Sequence, residues 1–222
     1  MTRITIASLL LVGTVAGSAS ADVIYQNLPV SALGGISEAF GSNGTYAFGQ
    51  SGAQRFSLED TYNLSTLSWW GSSQNFSGLD LGNFSGFEVV IWNADFSAQV
   101  AHFDLAIGSL TTSATGNTNF FGSPEYLFSS SIAGMIGPGT YNMNIGAVLA
   151  NGQGDEFIWS AGADENSFFT SPAQPWGTWL PIPPGIGDDG LGSFRLEGST
   201  VPAPGAVALL GLASLRGRRR AR

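Results

Sequence analysis

The sequence predicts an all-β protein, an antiparallel β-sandwich or jelly-roll-like single domain over residues 22–200. Apolar and polar residues alternate with a period of two in many short runs, which is typical of strands that bury one face. Clusters of Gly, Asn, Ser and Pro separate these runs as turns do. The domain of about 180 residues is long enough to build one core, and it must do so without disulfides because the chain has no cysteine.

The predicted strands follow one another through this domain. The alternation is clearest around Phe87, Val89 and Ile91. Strands are predicted over residues 23–26, 54–58, 64–70, 87–92, 100–110, 126–131, 141–145, 157–159 and 192–198. Only residues 100–110 have a pattern that also fits a helix. Residues 171–189 are predicted to form a loop, because they are too rich in proline for a central strand.

Both ends of the chain have the composition of processing segments. Arg3 precedes an apolar run over residues 4–17, and the small residues Ala19 and Ala21 form a cleavage motif. Residues 1–21 are therefore predicted to be a secretory signal peptide, because the run is too short to span a membrane. At the other end, residues 201–215 carry no charge and are followed by an arginine cluster: Arg216, Arg218, Arg219, Arg220 and Arg222.

Residues 201–222 resemble the PEP-CTERM sorting signal in its planctomycete-type form, which joins a Pro-x-Pro motif, a short apolar helix and terminal arginines. Val201, Pro202, Ala203 and Pro204 match the motif, with Ala203 where the family has Glu. The resemblance implies export to the cell surface, the outer envelope or the extracellular space. It also implies cleavage by an exosortase-like processing enzyme.

The length of the apolar tail predicts that it anchors the protein in the inner membrane only transiently. A helix over residues 201–215 is about 22 Å long, whereas the hydrocarbon core is about 30 Å thick. The arginines should stay cytoplasmic, because positively charged flanks do so.

The domain is also similar to an extracellular domain that often precedes such tails, in residues 55–71, 87–92, 157–160 and 194–198. That similarity implies a fold rather than an activity.

The charge of the domain excludes one class of partner. Sixteen acidic residues against Arg55 and Arg195 leave fourteen net negative charges between residues 22 and 200. Nucleic acid is therefore excluded, because its binding depends on cationic contacts to phosphates. A surface of this charge attracts cations.

Signals for catalysis are few. His102 is the only histidine, so a zinc site with several histidines is excluded and a Ser-His-Asp triad would depend on this residue alone. Because His102 lies in a predicted strand between Ala101 and Phe103, a structural or surface role is expected. No resident cofactor is expected.

Adjacent carboxylates offer a calcium site. Asp155 and Glu156 follow Asn and Gln in one predicted loop, and Asp188 and Asp189 are adjacent in another. Calcium prefers such oxygen ligands, but neither loop matches the EF-hand pattern. Solvated loop charges are the expected role of these pairs; among functional roles calcium binding is favoured over paired carboxyls for glycoside hydrolysis.

Tryptophans suggest a carbohydrate ligand. Trp69 and Trp70 are consecutive in a predicted strand, so only one can face the core. Trp176 and Trp179 lie in the proline-rich loop, and exposed rings of this kind can stack on sugars.

Taken together, these patterns favour an exported, non-enzymatic protein of the cell surface or extracellular matrix. A carbohydrate-binding module that recognises an extracellular polysaccharide is the alternative, and a glycoside hydrolase comes third.

Overall fold

Strands make up nearly all of the chain that the structure describes. The computed structural model describes residues 21–36, 51–73, 84–118, 122–150, 157–163, 167–170, 179–181 and 192–202. A 3₁₀ helix spans Ile107–Ser109. The strands are β1 (Asp22–Asn27), β2 (Pro29–Ile36), β3 (Ser51–Leu58), β4 (Tyr62–Ser73), β5 (Phe84–Asn93), β6 (Gln99–Ala106), β7 (Thr111–Thr118), β8 (Pro124–Ile136), β9 (Gly139–Leu149), β10 (Phe157–Gly162), β11 (Ser167–Thr170), β12 (Trp179–Pro181) and β13 (Phe194–Thr200).

The strands form two antiparallel sheets. In the first sheet, β8 pairs with β7 on one side and with β4 on the other, and the far edge of β4 is shared by β13 and β10. β1 then pairs with β13, and β2 pairs with β10. The second sheet has the order β12-β11-β3-β9-β5-β6. This arrangement confirms the predicted all-β, antiparallel sandwich-like fold.

Aromatic rings fill the space between the two sheets. Trp69 of β4 stacks on Phe128 of β8 with ring centroids 5.5 Å apart, and its other neighbour is Phe87 of β5 at 5.1 Å. Phe157 of β10 meets Phe87 edge to face at 4.9 Å. Such pairs add about 0.5–1.5 kcal/mol each beyond the burial of their area. Both sheets therefore contribute to one apolar core. A domain without disulfides depends on such a core for its stability.

The first and last strands close the domain by pairing with each other. Asp22 lies opposite Gly198, and Asn27 lies opposite Phe194. Tyr25 of β1 packs on Phe194 with ring centroids 4.9 Å apart. The two ends of the domain therefore leave from one ladder of the first sheet.

The structure refines several predicted elements. Residues 100–110 form a strand and a 3₁₀ turn rather than a helix, because Phe87 and Val89 of β5 pair with this segment. The proline-rich segment contributes β12, which pairs with β11 alone among the described strands and so sits where proline is tolerated. β7 was not predicted, because its Thr- and Ser-rich sequence has no apolar alternation. Within the described residues no helix is long and apolar enough to cross a bilayer.

Candidate functional site

The histidine lies between two carboxylates on the outer face of the second sheet. β5 and β6 pair so that Glu88 is opposite Asp104 and Val90 is opposite His102. Residues two apart on a strand share a face, so all three polar side chains project to the same side. His102 Nε2 lies 3.0 Å from Glu88 Oε1 and 3.5 Å from Asp104 Oδ1. The register of one hairpin thus assembles a Glu-His-Asp group.

The three side chains differ in their exposure to solvent. The exposed fraction is 13% for Glu88, 40% for His102 and 86% for Asp104. Burial raises the pKa of the Glu88 carboxyl; the charge of His102 opposes this rise, and the neighbouring Asp104 adds to it. Glu88 Oε2 is buried and has no hydrogen-bond partner among the described residues. The group is therefore shielded from solvent at Glu88 and exposed to solvent at Asp104.

This arrangement has the composition of a cation site rather than a nucleophilic one. Glu88, His102 and Asp104 each offer one donor atom, and these atoms lie within 4.8 Å of one another. Among the described residues the imidazole contacts carboxylates and no hydroxyl, so a serine triad lacks its nucleophile there. The imidazole also occupies the gap between the two carboxyls, where a glycosidase would place the sugar.

Sequence reasoning missed Glu88 and Asp104 as partners of His102. The spacing of His102 and Asp104 in a predicted strand was one available signal, because it places both on one face. Glu88 could not be added from the sequence, because its position opposite Asp104 depends on the register of the hairpin.

A hydrogen-bonded clamp holds the turn between β5 and β6. Arg55 of β3 donates from Nη2 to Ala94 O at 2.8 Å and from Nε to Asn142 Oδ1 at 3.2 Å. The Asn142 amide in turn donates to Asn93 O at 2.9 Å. Phe96 in this turn has φ = 61° and packs toward Trp92. The clamp thus ties the end of β5 and the first residue of the turn to β3 and β9.

A buried carboxylate on the outer face of the first sheet, Glu125, has a hydrogen-bond donor on each oxygen. Glu125 Oε1 accepts a hydrogen bond from Ser160 Oγ at 2.6 Å. Its Oε2 accepts from Thr115 Oγ1 at 2.9 Å and from Asn117 Nδ2 at 3.1 Å. The group joins β7, β8 and β10, and each oxygen has a donor. Glu125 therefore has a structural role.

Two of the four tryptophans considered for sugar stacking are buried. Trp69 has 0% exposure in the core, and Trp70, which faces the other way, has 9%. The prediction that only one of them faces the core is therefore correct, but neither ring has an open face for a ligand. This corrects their assignment as stacking residues. Trp176 and the side chain of Trp179 lie outside the described residues.

Most of the other predicted functional residues also lie outside the described part. These are Ala19, Asp155, Glu156, Asp188, Asp189, Ala203, Pro204 and the five tail arginines. Of the cleavage and sorting residues that are described, Ala21 and Pro202 are exposed. Val201 donates its N–H to Thr61 O at 2.8 Å and so belongs to the end of the domain.

Comparison with family models, with curated proteins and with solved structures gives no match to this chain.

Proposed function

We propose that this chain is an exported, non-enzymatic protein of the cell surface or extracellular matrix, sorted through its C-terminal PEP-CTERM-like segment. The observation that carries the proposal is the position of the outermost strands. β1 begins at Asp22, the residue after the predicted signal cleavage, and β13 ends at Thr200, directly before the predicted sorting segment. The outermost described strands thus lie between the two predicted processing segments, and only Val201 of the sorting segment bonds to the domain.

The pairing of β1 with β13 supports the same division. Asp22 lies opposite Gly198, so both predicted processing junctions lie at one end of one ladder. Ala21 and Pro202 are exposed there, and exposed backbone is what processing enzymes require. Removal of both segments would leave this ladder, and with it the closure of the first sheet, in place.

The charges of the domain fit a solvated, cation-rich surrounding. Arg195 Nε lies 3.0 Å from Glu197 Oε1, and Arg55 donates to Ala94 O and to Asn142. The net charge of the domain is fourteen negative charges, because only these two arginines oppose its sixteen acidic residues. This charge favours solubility and disfavours contact with anionic lipid. Its partners are then the processing enzyme, the membrane during sorting, and other components of the envelope.

Two changes in the C-terminal segment, a truncation and the substitution Ala203→Glu, test the proposal. The full chain and a chain that ends at Pro202 are expressed in a bacterium that carries an exosortase, and both are followed by fractionation and N-terminal sequencing. We expect both external proteins to begin at Asp22. We also expect the full chain to stay with the envelope and the shortened chain to appear in the medium.

The variant Ala203→Glu is the matched control for the motif, because it restores the family residue and leaves the apolar run and arginines unchanged. It should be processed at least as fully as the natural sequence. Retention of Met1 on the external protein would overturn the export proposal. Equal retention of the full and shortened chains in the envelope would overturn the sorting proposal.

A further inference from the structure

We infer that Glu88, His102 and Asp104 form a binding site for a divalent transition-metal ion such as Zn²⁺. The site lies on the outer face of the second sheet, on β5 and on β6, the edge strand of that sheet among the described strands. It provides one imidazole nitrogen and two carboxylates, all from a single hairpin. This inference is independent of the proposed export and sorting.

The distances between the donor atoms fit a shared ion. Zinc binds nitrogen and carboxylate oxygen at about 2.0–2.2 Å, so neighbouring donors around the ion lie about 3–3.5 Å apart. His102 Nε2 is 3.0 Å from Glu88 Oε1 and 3.5 Å from Asp104 Oδ1. All three donors lie within 4.8 Å. The ion can therefore be accommodated with small side-chain movements.

The unpartnered oxygen of Glu88 points to a missing ligand. A histidine–glutamate hydrogen bond uses one carboxylate oxygen, and Glu88 Oε2 remains buried with no hydrogen-bond partner among the described residues. A buried acceptor without a partner has lost its contact with water and gained no hydrogen bond in return. Across the sheet from Glu88 stands Gly146, which has no side chain to donate to it.

The other buried carboxylate of the described chain supplies an internal comparison. Glu125 has donors on both oxygens, from Ser160, Thr115 and Asn117. Neither oxygen of this carboxylate is left without a donor. At Glu88 the second oxygen is left for a ligand, and a metal that binds the carboxylate through both oxygens would satisfy it.

The donor set selects a transition metal over calcium. Calcium takes six to eight oxygen ligands, whereas this group offers an imidazole nitrogen and two carboxylates. Imidazole and carboxylate together suit zinc and neighbouring first-row ions. Two carboxylates and a neutral imidazole also balance the charge of a divalent ion.

The inference can be tested by recording the NMR signals of the His102 imidazole during addition of Zn²⁺. The full chain is purified without a polyhistidine tag, and ZnCl₂ is added while the NMR signals of the histidine ring are recorded and binding heats are measured. Because the chain has one histidine, the ring signals have a single assignment. We expect saturation at one Zn²⁺ per His102, with no comparable change on addition of CaCl₂.

Conservative variants then locate the site. Glu88→Gln, His102→Gln and Asp104→Asn should each weaken Zn²⁺ binding at least about 10- to 100-fold, since even indirect partners of metal ligands have effects of that size. Glu59→Gln and Asp60→Asn remove the same charges from the exposed β3–β4 turn and should bind as the natural chain does. His102 and Asp104 are exposed enough that their variants should fold even where Glu88→Gln does not.

Three results would overturn the inference. The first is the absence of saturable Zn²⁺ binding, and the second is binding that persists unchanged in His102→Gln and Asp104→Asn. The third is binding of Ca²⁺ as tight as that of Zn²⁺, which would show that the group attracts cations in general and does not select a transition metal.

Discussion

The space between the sheets and the outer face of the second sheet are built from the same strands with opposite chemistry. On β5, Phe87, Val89 and Ile91 point into the core, where each is at most 1% exposed. Their neighbour Glu88 points outward to His102. Inside, non-directional aromatic packing holds the sheets together; outside, directed hydrogen bonds and charges fix the position of a few groups. On β5 the core-facing residues are apolar, whereas the outer face combines the polar Glu88 with the buried Val90.

The largest effect is expected in the core. Phe128 is fully buried and contacts both Trp69 and Phe87. Phe128→Ala should lower the free energy of unfolding by about 3–5 kcal/mol, because it removes apolar contacts and leaves a cavity. Urea unfolding followed by tryptophan fluorescence measures this loss. A loss below about 1 kcal/mol would contradict the assignment of stability to this core.

A smaller loss is expected at the satisfied carboxylate of the first sheet. Glu125→Ala deletes the acceptor for Ser160, Thr115 and Asn117, and it should destabilise the protein by about 2–3 kcal/mol. Glu59→Ala is the control, since this residue is exposed in a turn and its loss should stay within about 0.5 kcal/mol. Equal effects of the two substitutions would show that the Glu125 network is unimportant for stability.

Loss of the clamp on the β5–β6 turn should lower stability less than the two changes above. Asn142→Ala removes the hydrogen bonds to Asn93 and Arg55 and should cost about 1–2 kcal/mol. Because the clamp holds the start of the turn that leads into β6, the same variant should also change the NMR signals of the His102 ring. An unchanged ring spectrum would show that the clamp does not affect the position of His102.

The smallest effect is expected from removal of the tail. A chain that ends at Pro202 keeps the hydrogen bond from Val201 N–H to Thr61 O, and it should unfold within about 0.5 kcal/mol of the full chain. Circular dichroism during thermal unfolding measures the difference. A large loss of stability would mean that residues 203–222 pack on the sandwich.

Sequence patterns predicted the core better than the outer face, for a physical reason. Period-two alternation reports which residues of one strand are apolar, and it correctly predicted the strand that contains Phe87, Val89 and Ile91. It also implied that Trp69 and Trp70 face opposite sides. That both would be buried was not predictable, because burial of an outer face depends on what packs over it.

The polar group on the outer face depends on information that no single strand contains. Glu88 and Asp104 are sixteen residues apart, and their contact follows from the register of a hairpin. The calcium hypothesis instead relied on carboxylates adjacent in sequence, such as Asp155 and Glu156, which lie outside the described residues. β7 was missed for a related reason, since its pairing with β8 is set by backbone hydrogen bonds rather than by apolar side chains.

The most direct test of this division between core and outer face is thermal unfolding of a variant that combines His102→Gln and Asp104→Asn, the two exposed members of the group. In chelator it should unfold close to the natural chain and far above Phe128→Ala. With Zn²⁺ at a hundred times its dissociation constant, the natural chain should gain about 2.7 kcal/mol of stability and the variant should gain none. Unfolding of the variant in chelator at the level of Phe128→Ala, or an equal gain from Zn²⁺ in both proteins, would contradict the account.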